Sequence, residues 1–115
     1  MAIYHYQNYQ IINWLIENCN EPKDSLKGFI RSLAYDSRLP YYLQRSARIF
    51  LSKHGDDSDI DRLENQYSLS NNEIEKADIV CCLGRLEKGR RNTLLGRIKN
   101  DGYLIKLACD KVKSL

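Results

Sequence analysis

The stretch YYLQRSARIFLSKHGD, residues 41–56, decides the fold class. Leu43, Ala47, Phe50 and Leu51 recur at steps of three and four, which places them on one side of a helix. Pro40 stands at the first turn, where its missing N–H is no loss, and Gly55 ends the segment. Working outward, the same spacing recurs and the alternation of a strand does not. Ile11, Ile12, Trp14, Leu15 and Ile16 predict a helix from about Tyr4 to Cys19, closed by Asn20-Glu21-Pro22. Leu26, Phe29, Ile30 and Leu33 predict a second, from about Lys23 to Tyr35.

Downstream of residue 56, Asp56-Asp57-Ser58-Asp59 offers side-chain caps to a short fourth helix bearing Ile60 and Leu63. Ile74, Ala77, Cys81 and Leu83 mark a fifth, ending near Gly89. Asn92 caps a sixth through Leu94, Leu95 and Ile98, and Asp101-Gly102 opens a seventh that runs to the C-terminus. The expectation is an all-α chain of about seven helices.

Ala47, Ala77 and Ala108 return about every thirty residues, each just after a basic residue. Such a period fits one helical hairpin stacked on the next, the small side chain allowing close approach between layers. In the first stretch the pattern is Arg45, Ala47, Leu51 and Gly55; in the second, Lys76, Ala77, Leu83 and Gly84; in the third, Lys106 and Ala108 without a glycine. These residues resemble the first helices of HEAT-like repeats, of the HEAT and armadillo α-solenoid group. The resemblance covers residues 38–115, with 1–37 as a divergent N-terminal hairpin of the same single domain, 1–115. It implies a short right-handed stack of antiparallel hairpins. The alternative is an irregular helical bundle. Members of the group mostly bind proteins, some hold nucleic acid, and one branch excises alkylated bases. The resemblance thus implies a non-enzymatic interaction or scaffolding module, with a nucleic-acid binder accessory to a processing enzyme as the alternative.

Composition narrows the classes further. Charged residues make up 29% and hydrophobic ones 43%, as in ordinary globular proteins, and no apolar run nears the ~20 residues of a membrane span. MAIYHYQNYQII lacks the basic start and continuous apolar middle of a signal peptide, so a cytoplasmic location is expected. Cys19, Cys81, Cys82 and Cys109 form no CxxC pair and read as buried reduced thiols. Asp57, Asp59 and Asp61 open like a calcium loop, but Arg62 replaces the required glycine and Ser68 the closing glutamate, so helix capping is the reading. No cofactor or metal is expected.

His54, at a helix end beside Asp56 and Asp57, reads as a charged cap oriented by those acids rather than as a catalytic base. The net charge of +3 is unevenly spread: residues 58–84 carry two cations and six acids, residues 85–115 nine cations and three acids. Arg85, Lys88, Arg90, Arg91, Arg97 and Lys99 are therefore the candidate site for nucleic acid or an acidic partner. Tyr41 and Tyr42 are candidate interface anchors, whereas Trp14, in helical register with Ile11 and Leu15, reads as core. The last helix has apolar residues over more than half its circumference. Leu104, Leu107 and Leu115 thus point to a homodimer through the C-terminal helix, the preferred expectation, or to a longer protein whose continuation covers this face. The expected partner is a protein.

Overall fold

In the computed structural model the described chain forms α1 (Ala2–Asn18), α2 (Asp24–Ala34), α3 (Tyr41–His54), α4 (Asp57–Leu69), α5 (Glu73–Leu86) and α6 (Tyr103–Lys113). The structure describes residues 2–86 and 102–113, and no strand occurs among them. The chain is all-α, as its spacing predicts. The helix expected through Leu94, Leu95 and Ile98 lies outside the described residues, and with it the count of seven.

Local chemistry accounts for the helix ends. Asn18 closes α1 by donating from Nδ2 to the Trp14 carbonyl at 2.8 Å. Pro40 serves as the N-cap residue of α3, its carbonyl accepting the N–H groups of Leu43 and Gln44. At α4 the acids act as the sequence suggests: Asp56 Oδ1 accepts the Ser58 N–H at 2.9 Å, and Asp59 Oδ2 accepts the Asp56 N–H at 3.0 Å, a reciprocal capping box. Asn72 caps α5 through Oδ1, which accepts from the N–H groups of Ile74 and Glu75. Gly102 enters α6 at φ 156°, where a Cβ would stand 2.6 Å from Glu73 Oε1. The fourth helix is not short. Its thirteen residues persist because buried Tyr67 continues the stripe of Ile60 and Leu63 into the last turn.

The chain divides into two compact units, Met1–Gly55 and Asp56–Leu115. In the first, α3 is the main packing partner of both α1 and α2. Ile12 of α1, Ile30, Leu33 and Ala34 of α2, and Leu43, Ala47, Phe50 and Leu51 of α3 close into one core. Polar ties reinforce the α1–α3 contact: Ser46 Oγ donates to Asn13 Oδ1 at 3.0 Å, and Lys53 Nζ to the Ile16 carbonyl at 3.1 Å. In the second unit α5 packs against α4 and α6. Its buried residues include Leu63, Ile79, Val80, Leu83, Ile105 and Cys109. No disulfide joins any two of the four cysteines; Cys82 and Cys109 are buried.

The three alanines do not share one environment. Ala47 and Ala108 are buried, while Ala77 is partly exposed. α5 buries Ile79, Val80, Cys82, Leu83 and Gly84, and Ala77 lies roughly 110° around the helix from the middle of that face.

Truncating Phe50, fully buried at the centre of the first core, is expected to cost about 3–5 kcal/mol in urea unfolding. Asp56→Ala should cost about 1 kcal/mol through the lost cap, whereas Asp61→Ala, on an exposed turn of the same helix, should stay within about 0.5 kcal/mol.

Candidate functional site

Helix α1 carries two titratable acid–base side chains of ordinary pH range, His5 and Glu17, among seventeen residues rich in tyrosine and isoleucine. Such a helix is apolar on both sides. Ile12 is buried against the core, with Tyr9 and Ile16 packed beside it. On the opposite side Tyr4 (69% exposed), Ile11 (54%) and Trp14 (62%) face solvent, within roughly 80° of arc. Their spacing of seven and then three residues makes a straight seam along the helix. Tyr6, also exposed, flanks it.

A second aromatic group ties this helix to α3. The Tyr9 ring stands 6.0 Å from Tyr6 and meets Tyr42 edge-on at 5.1 Å. Tyr42 thus serves packing and surface at once, its outer edge remaining exposed. Its neighbour Tyr41 is similarly exposed and carries the Arg48 guanidinium carbon 5.7 Å from its ring centroid.

The structure treats the other sequence-derived candidates unevenly. Arg85 lies partly buried in the last turn of α5. Lys88, Arg90, Arg91, Arg97 and Lys99 lie outside the described residues, as do Leu115 and the side chain of Leu104. Leu107 is exposed on α6, while Ile105, Ala108 and Cys109 turn inward.

Trp14 is not core. Adjacent residues on a helix diverge by about 100°, so the seam containing Ile11 and the stripe containing Ile12 could not both face α3. Burying Ile12 decided which one stays outside. The signal was present in the sequence as an apolar run too wide for a single face.

His54 corrects the capping expectation as well. Its ring packs on Phe50 at a centroid separation of 4.8 Å, and Nε2 is buried without a hydrogen-bond partner. Burial is the main force lowering its pKa below the ordinary 6.5, and the charges of Lys27 and Lys53 act in the same direction. A hydrogen bond to the Cys19 backbone opposes them, with an effect smaller than that of burial and larger than that of either lysine. His54 is therefore a neutral joint between the ends of α1 and α3. Asp56 and Asp59 are meanwhile engaged in the capping box of α4.

Asp36, in the loop before α3, accepts from the Arg38 backbone N–H and from both Nε and Nη2 of its guanidinium, each at 3.0 Å. That pairing holds the Asp36 carboxyl below its usual range and Arg38 above its own.

The chain matches no protein-family model, no curated protein and no solved structure in comparisons with each. Among the described residues, no helix is long and apolar enough to cross a membrane.

Because the folded state lowers the His54 pKa, the unfolded chain binds the proton more tightly. Stability is then greatest above about pH 6.5 and falls as the pH drops from there through the folded-state pKa. Denaturant midpoints measured between pH 8 and 5 should show this decline, and His54→Gln should flatten it.

Proposed function

We propose that this chain is a non-enzymatic protein-interaction module that docks its partner on the outward seam of α1. One observation carries the reading: Tyr4, Ile11 and Trp14, three large exposed side chains, share one uncharged arc of α1 with the polar Gln7 and Asn18, while the other apolar side of the helix is already buried. Large aromatic anchors of this kind supply much of the binding energy at protein interfaces, and tryptophan and tyrosine are the commonest among them. Tyr41 and Tyr42 extend the aromatic surface at the start of α3. The HEAT-like scaffold that the residue pattern suggests has support at Ala47 and Ala108, both buried, and none at Ala77, which is partly exposed. Homodimerisation through α6, on which Leu107 is exposed, is a further part of the proposal.

A second reading rests on charge. Nine cations against three acids in residues 85–115 suit contact with nucleic-acid phosphates, through Arg85, Lys88, Arg90, Arg91, Arg97 and Lys99. Such binding would weaken steeply with added salt, whereas docking on an uncharged seam would not.

A photo-crosslinking residue at position 11 should capture a discrete partner in the native cell, while the same residue at position 61, on an exposed turn of α4, should not. Trp14→Ser in the position-11 protein should abolish capture and leave the unfolding midpoint nearly unchanged, as expected for an exposed site. Identical products from both positions would remove the proposal. Trp14 is the sole tryptophan, so a blue shift of its emission on partner addition reports burial of the seam directly.

A further inference from the structure

Arg48 is the most unusual side chain in the first unit. It is 1% exposed, yet Nε, Nη1 and Nη2 have no hydrogen-bond partner among the described residues. A guanidinium remains charged at any physiological pH, and a buried charge without a counter-ion is strongly unfavourable. The polar groups sharing its side of α3 do not relieve it. Gln44 Nε2 donates to the Leu39 carbonyl at 2.7 Å, and Ser52 Oγ donates to the Ile49 carbonyl at 2.6 Å. Asp36, the acid in the loop preceding the helix, is bound in bidentate fashion by Arg38. What Arg48 has is the ring of Tyr41, a weak substitute for an anion.

Position adds an independent argument. Side chains on a helix lean toward its N-terminus, and the ring under the Arg48 guanidinium belongs to the first residue of α3. That first turn has no side-chain cap, because Pro40 supplies none. The backbone N–H of Tyr42 also lies ahead of the first intrahelical bonds, which run from Leu43 and Gln44 to Pro40. The uncompensated guanidinium thus lies against the ring of the residue that opens α3, at the side of a first turn that carries no side-chain cap.

We infer that the N-terminal end of α3 is a binding site for a small oxyanion, a phosphate or carboxylate group that takes paired N–H donors from Arg48 and a backbone N–H from the first turn. The planar fork of the guanidinium matches two oxygens of such a group. Tyr41, exposed at its edge, forms the outer wall and turns aside to admit the ligand. This site adjoins the aromatic surface of Tyr41 and Tyr42 but does not rest on the proposed use of the α1 seam.

Thermal unfolding of the full chain, with sodium chloride exchanged for inorganic phosphate or for acetate at constant ionic strength, tests the inference. Wild type should gain stability along a saturating curve with at least one of the two anions. A tenfold gain in the folding equilibrium constant corresponds to roughly 5–10 °C in a chain of this size. Arg48→Met should begin higher in chloride, since an unpaired buried charge has been removed, and should not respond in a saturating way. An equal response from both proteins would reveal a general salt effect and overturn the site. Should the variant not fold, amide and guanidinium N–H NMR signals of wild type decide the matter. The Arg48 Nε–H and Tyr42 N–H signals should shift together with one dissociation constant. An unmoved Arg48 signal at 50 mM of either anion overturns the site. The anion that saturates identifies whether phosphate or carboxylate is the natural class.

Discussion

The extensive enclosure of α3 is the constraint on which the first unit depends. Leu43, Ala47, Phe50 and Leu51 are fully buried on it, and so, nearly, are Gln44, Ser46, Arg48 and Ser52. A helix enclosed this far around must satisfy its polar side chains without water. Ser46 does so across to Asn13 of α1, and Gln44 and Ser52 do so on neighbouring carbonyls. Of these only the Ser46–Asn13 bond crosses to another helix, and with the apolar contacts it orients α3 against α1. Arg48 stands apart because its charge has no such partner, so the feature that organises the core also creates the anion demand at its N-terminal end.

The same enclosure explains the surface. With α3 covering Ile12, the opposite seam of α1 has no partner within the unit, and Tyr4, Ile11 and Trp14 remain in water. His54 belongs to this geometry too: held against Phe50 and bonded to the end of α1, it trades its charge for a place in the packing. An interaction surface, a pH-dependent joint and an unpaired cation are therefore three consequences of one helix being covered over roughly two thirds of its circumference.

Much of the local structure was legible. The Pro40 start, the Gly55 stop, the Asp56 cap and the apolar stripe of Leu43, Ala47, Phe50 and Leu51 are short-range features, governed by backbone donors and side-chain spacing within a few residues. Readings that needed a partner's position fared differently. Ala77 carries the same residue pattern as Ala47 yet sits at the margin of its helix's buried face, because the burial of Ile79 and Leu83 is set by what α5 meets. Trp14 read as core because periodicity reveals that a side is apolar, not which of two apolar sides is covered.

The amino-acid sequence by itself determined that the chain is helical, where most of its described helices begin, and that an acidic middle precedes a basic C-terminal third. Those properties follow from interactions spanning at most a turn or two of helix. Only the tertiary structure decided that α3 would be the enclosed element, that Ile12 rather than Ile11 would face it, and that Arg48 would lose both water and counter-ion. Burial is a property of several segments at once, and the rotation of a helix about its axis is chosen by whichever arrangement excludes the most apolar surface while leaving the fewest polar groups unmatched.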